Sequence, residues 1–263
     1  IIMKKNRDFQ FDGTVIAGLF TFQGSNLFFS YDSFKLNLQN VELLQIKYRT
    51  GAVDGFGKPE IGTVDNVIEH ITGELLVDRP DNKSGRENYP EYPIFKSKEN
   101  SYVFYERPDI QGGVYVQNEF YFEIFPYTMD SLDNFNKNYM IYEGEFVSAG
   151  IFPPIREKLS LQADKSLGFK HHTPEEGFPL YGGKGIFKNE FEMTNSGLRG
   201  KGTIEYLTSV THSDDIIFYP DSTNAYATSF TIAKSASEPQ FPGVSSGNNY
   251  IHWLPYADEF YAS

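Results

Sequence analysis

Apolar and polar residues alternate along much of this chain with a period of two, the signature of a half-buried strand. Phe34-Lys35-Leu36-Asn37-Leu38 shows it plainly, and residues 184–194 repeat it. Strands are also expected at 14–22, 27–31, 41–48, 101–105, 113–125, 139–161, 198–209, 216–219 and 226–233, with Pro153-Pro154 breaking the fourth-last of these. Turns are expected at Asp12-Gly13, at Gln23-Gly24-Ser25-Asn26 and at Asn195-Ser196-Gly197. Residues 64–77 read as strand, turn at Thr72-Gly73, strand, although Val67-Ile68-Glu69-His70-Ile71 also fits one helical turn. No long window carries apolar residues at i, i+3, i+4 and i+7. The pattern predicts an all-β fold of antiparallel or stacked sheets, sandwich or solenoid-like, with at most one or two short helices. One is expected within 127–138, capped by Thr128 or Asp130.

Residues 49–66, 78–100 and 164–183 are expected to be loops, because glycine, proline and charge leave them no face to bury. A subdivision is expected near residue 139 of one elongated β-rich segment covering 1–263. An internal echo also stands out. Phe11-Asp12-Gly13 through Leu19-Phe20 resembles Tyr142-Glu143-Gly144 through Ile151-Phe152, and a looser copy runs from Gly197 to Tyr206. Such echoes arise from stacked β units or from any glycine-rich meander.

Composition sharpens the picture. The chain has 24 Phe and 18 Tyr but one Trp and no Cys. Aromatic residues suit a pleated, half-buried surface. Without cysteine there is no disulfide, thiolate metal site or cysteine nucleophile. The 23 basic residues are scattered among 35 acidic ones, for a net charge of −12. Nucleic acid, which needs a basic stripe, is set aside, as are anionic membrane surfaces. No stretch has the 18 or so apolar residues of a transmembrane helix. Ile1-Ile2 precede Met3, and the reading adopted is excision from a longer chain.

Candidate chemistry is sparse. The loop Asp78-x-x-Asp81-Asn82-x-Ser84-Gly85-x-Glu87 gathers oxygen ligands suited to calcium, but Arg79, Lys83 and Arg86 sit among them and the spacing is not that of an EF-hand. His171-His172 beside Glu175-Glu176 have zinc-ligand chemistry, yet adjacent strand residues point to opposite faces, and Thr173-Pro174 indicates an exposed turn. His212-Ser213-Asp214-Asp215 holds the residue types of a hydrolase triad without a nucleophile elbow; Val244-Ser245-Ser246-Gly247 does not supply one. Glu119, Glu123, Glu190, Glu192 and Glu205 lie on expected strands, where alternation puts them on the wet face rather than in a glycosidase pair. Gly182-Gly183-Lys184-Gly185 lacks the phosphate-loop pattern. No residue is therefore assigned a catalytic, cofactor-binding or metal-ligating role. Eighteen Tyr against one Trp favour protein contact over sugar stacking, since a tyrosine hydroxyl prefers a wet edge.

Several pieces carry a resemblance: Asp12-Gly13 with Gly18 and Phe20, Tyr142-x-Gly144 through Ala149-Gly150-Ile151-Phe152-Pro153, Ser166-Leu167-Gly168-Phe169, Leu180-Tyr181-Gly182-Gly183-Lys184-Gly185, Gly197-Leu198-x-Gly200-x-Gly202 and Phe218-x-Pro220-Asp221-Ser222. Together they resemble very long, uncharacterised envelope proteins of Bacteroidetes-type Gram-negative bacteria. The Gly-Leu-x-Gly-x-Gly element is also similar to the β-groove repeats of AsmA and TamB proteins, although polar loops interrupt this chain where such grooves run on. The resemblance implies a non-enzymatic structural or protein-interaction segment in the periplasm or at the outer membrane. Its partners would be other envelope proteins or the rest of its own chain, and it implies no cofactor. The alternatives are a carbohydrate-binding or carbohydrate-active module, motivated by Trp253, the Tyr-rich strands and their acids, and a lipid-handling β-groove.

Overall fold

Strands with one apolar face gain stability only when a neighbour covers that face, so alternation of this kind assembles sheets. The computed structural model describes residues 1–234 and 242–263. It is all-β, with 58% of the chain in strands and, among the described residues, no helix of seven residues or more. Residues 235–241, part of the Gly-, Pro-, Ser- and Asn-rich end, lie outside the described residues. The chain forms two units, each built from separated stretches. The first comprises Ile1–Phe104, Phe122–Glu145 and Lys158–Leu167; the second comprises Tyr105–Tyr121, Phe146–Glu157 and Gly168–Ser263.

The first unit is an antiparallel meander. Strands Ile2–Met3, Phe9–Ala17, Phe20–Ser30, Lys35–Val53, Ile68–Leu76, Ile94–Ser97 and Thr128–Met129 pair in that order. Its core is aromatic: Phe20 meets the edge of Phe135 at 4.9 Å, and Phe22 lies 5.1 Å from Phe95. The second unit is also a meander, running Gly185–Thr194, Gly197–Tyr206, Ser209–Phe218, Thr223–Ile232, Asn249–Leu254 and Glu259–Ala262. At its centre Phe152 stacks on Phe191 at 4.3 Å and packs beside Phe218 at 5.2 Å.

Several expected turns are strand instead. Asp12-Gly13 lies inside Phe9–Ala17, at a bulge, and the chain reverses at Gly18-Leu19. Gly24 lies inside Phe20–Ser30 and Gly73 inside Ile68–Leu76. Both are strand glycines because a neighbouring carbonyl occupies the place of a side chain: Asn40 O and Lys96 O would lie within 2.3 Å of a Cβ. The expected loop at 49–66 is a hairpin of Lys35–Val53 against Pro59–Thr63. Asp54 Oδ1 fixes its turn by accepting the N–H groups of Phe56 (2.8 Å) and Lys58 (2.9 Å). The expected loops at 78–100 and 164–183 contain strands Ile94–Ser97, Leu167–His172 and Phe178–Leu180. The helix expected in 127–138 is strand Thr128–Met129 followed by two 3₁₀ turns, Leu132–Asn134 and Lys137–Tyr139. Ser131 at φ 53° interrupts any longer helix, and Leu132 and Phe135, three residues apart, drop into the core.

Buried tyrosine hydroxyls pin the second unit. Tyr115 Oη donates to Phe218 O (2.9 Å) and accepts from Leu198 N (3.1 Å). Tyr181 Oη lies 2.9 Å from Tyr219 O, 2.7 Å from Ser222 O and 2.6 Å from Thr223 Oγ1. Replacing Tyr181 by Phe is expected to cost about 1–3 kcal/mol in urea unfolding, because those carbonyls stay buried without their donor. Burial raises the ionisation of both phenols above the ordinary tyrosine value. A group whose folded pKa is raised stabilises fully below its unfolded pKa and loses that contribution as pH climbs through the folded one. The urea midpoint is therefore expected to fall above about pH 10, tracking phenolate absorbance, and to change little from these groups below it.

Candidate functional site

In the first unit two irregularities in neighbouring strands converge on one hollow. Register between Lys35–Val53 and Ile68–Leu76 slips between Leu38 and Val41, so Gln39 and Asn40 bulge outward. Opposite, His70 adopts φ 57° inside an extended strand. Bulges re-aim side chains, and a non-glycine residue in this conformation is uncommon. The hollow so formed is an open depression of about 710 Å³, bordered by Glu99, Asn100 and Tyr102 where strands Ile94–Ser97 and Ser101–Phe104 follow one another along Ile68–Leu76. His70 stands edge-on to Tyr102 and Phe104, both at 6.0 Å, and those two rings stack at 5.9 Å. Tyr102 Oη donates to Glu123 Oε1 at 3.0 Å.

Charge at the rim is partly cancelled. Lys98 Nζ lies 2.8 Å from Glu74, which also holds Lys35 at 2.7 Å. Hydrogen bonds from the two lysines hold the Glu74 carboxyl below its ordinary range. Glu42 and Glu99 have no such lysine among the described residues. The mouth is therefore weakly acidic and rich in amides.

The residues singled out in the sequence do not meet in one place. In the loop at 78–87, Asn82 takes the centre: its Nδ2 donates to Asp78 Oδ2 and Glu87 O, both at 2.8 Å, and Glu87 N donates to its Oδ1 at 3.0 Å. Asp81 pairs with Arg79 at 2.9 Å. Among the described residues no three His, Asp or Glu side chains gather as metal ligands. His171 and His172 sit on strand Leu167–His172 rather than in an exposed turn; His171 meets Glu157 at 2.8 Å and stacks on Phe178, while His172 faces Glu190 at 3.5 Å. The triad types are separated by their partners. Ser213 Oγ donates to the backbone at Asp215 and Tyr226, Asp214 pairs with Lys201, Asp215 with Arg199, and His212 Nδ1 meets Thr203 Oγ1. Glu190 and Glu192 flank Lys170, Glu205 holds Lys188, and Glu119 is exposed. Gly182 and Gly183 form part of a 3₁₀ turn, and Lys184 reaches Asp258 at 2.7 Å. Trp253 is fully buried, between Tyr206 (4.9 Å) and Tyr181 (5.3 Å), so it presents no face to a ligand.

A second surface in the other unit joins aromatic side chains to a strand with one open edge. Tyr226 pairs across strands with Tyr250, ring centres 5.3 Å apart, and His252 pairs with Tyr261 at 6.2 Å. Tyr226 is 66% exposed. Among the described residues, strand Glu259–Ala262 pairs only with Asn249–Leu254, so its outer edge is open. In the first unit, Phe9–Ala17 is covered on one side by Ile2–Met3 at Phe9 and Gln10 alone, which leaves its later residues open and Ile16 73% exposed. Compared with protein-family models, with curated proteins and with solved structures, the chain finds no match in any of the three.

Proposed function

We propose that this chain is a non-enzymatic structural or protein-interaction segment of a bacterial cell-envelope protein, joined to its neighbours through its open sheet edges. The observation that carries this reading is the edge from Phe11 to Ala17. An unpaired strand displays N–H and C=O groups ready to accept another strand, and proteins that stay alone blunt such edges with charge, proline or a cover. This edge has one charge, Asp12, whose carboxylate instead accepts Asn26 N at 2.7 Å. Its outer apolar residue, Ile16, has nothing over it among the described residues. The exposed tyrosines beside the second open edge suit the same role, because tyrosine is enriched where proteins meet. The non-enzymatic part is supported by the acids and histidines named above, which are mostly engaged in local pairs. The envelope setting rests on the sequence resemblance.

The test is purification of the natural complex from cell envelopes at gentle salt, with Ile16→Lys as the comparison. Lysine on an edge blocks strand addition without touching the core. The expected outcome is a defined partner set that the variant loses while its unfolding midpoint stays put. An identical partner set from the variant, or none from the parent, would overturn edge pairing as the basis of function.

A further inference from the structure

We infer that the hollow at His70 in the first unit binds an uncharged, hydroxyl-rich ligand of the oligosaccharide class. This goes beyond the edge-pairing role and does not depend on it.

Three observations converge on that chemistry. First, the amides of Gln39, Asn40 and Asn100 each offer both donors and acceptors, and Glu42 and Glu99 add acceptors. None of these five side chains bonds to another protein group among the described residues; where Gln39 and Glu99 take part in hydrogen bonds, they do so through backbone carbonyls. A vicinal diol, which donates and accepts from neighbouring oxygens, is the natural complement of such a set. Second, His70 and Tyr102 supply an aromatic wall, and the Tyr102–Glu123 bond fixes its ring. Apolar C–H faces of a sugar ring pack on such a surface, while the hydroxyls turn to the amides. Third, the charge balance selects against other classes. Among the described residues Lys98 is the one lysine or arginine lining the hollow, it already contacts Glu74, and Glu42 and Glu99 outnumber it, so the lining carries a net negative charge that disfavours phosphates and carboxylates. The volume of about 710 Å³ lies in the usual range for small-molecule clefts.

The backbone adds to this. His70 at φ 57° and the slip at Gln39–Asn40 are separate departures from regular strand, in adjacent strands, and both deliver polar side chains to the same hollow. Strain of this kind persists where the surroundings impose it and concentrates at ligand sites.

The experiment uses the full chain and soluble tetrasaccharides of glucose, mannose, galactose, xylose and N-acetylglucosamine, followed by saturation-transfer NMR and calorimetry. At least one is expected to bind. Asn100→Ala and His70→Gly are each expected to weaken it about tenfold, the effect of one lost hydrogen bond or ring contact. His70→Gly removes the ring at a backbone position glycine adopts freely, so the fold is retained. Tyr226→Ala, on the tyrosine face of the other unit, is expected to leave affinity unchanged. The inference is overturned if no tetrasaccharide binds, if the hollow variants bind like the parent, or if Tyr226→Ala alone abolishes binding.

Discussion

Alanine in place of Gly144 is expected to destabilise the first unit by roughly 2–4 kcal/mol in urea or thermal unfolding, the upper range for forcing an atom into a closed site. A Cβ at this position would lie 2.0 Å from Glu123 O and 2.5 Å from the Phe122 ring. Neither neighbour can retreat easily. The carbonyl belongs to the backbone of strand Phe120–Ile124, and Phe122 is fully buried. Gly13 makes a useful contrast, because it holds the matching place in the sequence echo. A Cβ there meets nothing within 4 Å, and the obstacle is only its φ of 139°. Gly13→Ala is expected to cost about 1 kcal/mol, from backbone strain alone. Equal losses at the two positions would mean that the echo reflects one repeated structural role.

The second large effect concerns Trp253. Truncation to alanine is expected to cost about 3–5 kcal/mol, since a fully buried indole is replaced by a cavity. Its six-membered ring also fills the space that a side chain at Gly185 would need, with the nearest atom 2.7 Å from that Cβ position. As the single tryptophan, it reports on the second unit alone. Emission is expected to be blue-shifted in the folded chain and to move to the red as that unit unfolds. If Trp253→Ala left the unfolding midpoint unchanged, the residue would be a surface platform and its burial here would be wrong.

Fold class was legible because alternation is a local property, and each strand announces its buried face. Turns were misread for the same reason. Asp12-Gly13 and Thr72-Gly73 have turn composition, but Gly73 answers to a neighbouring strand's carbonyl and Gly13 to a bulge in the pairing with the next strand, and no local pattern encodes either neighbour. The hollow leaves a trace in the spacing of apolar residues. Apolar residues occupy Leu36 and Leu38 and then Val41, and Ile68 and then Ile71. Each step of three shifts the inward phase by one residue, as a bulge does. Read alone, Ile68-x-x-Ile71 fits a helical turn; read against the steady alternation on either side, it marks a bulge. Ser213 and Ile216 bracket a third slip, in Ser209–Phe218. Tyrosine count was a poor guide to surface, because Tyr105, Tyr115, Tyr142 and Tyr181 are core residues and only some, such as Tyr226 and Tyr261, face water.

The order in which the chain visits its two units limits how the protein can be made and divided. It passes between them five times, at 104/105, 121/122, 145/146, 157/158 and 167/168. No single cut or truncation therefore releases one unit whole: removing everything after residue 104 takes two further stretches from the first. During synthesis the first unit lacks its last stretch until residue 167 has left the ribosome, by which time parts of the second have already been made. Late closure of sequence-distant pairs slows folding and prolongs exposure of apolar strands. Expression of the intact 263 residues, rather than of halves, follows as the practical rule.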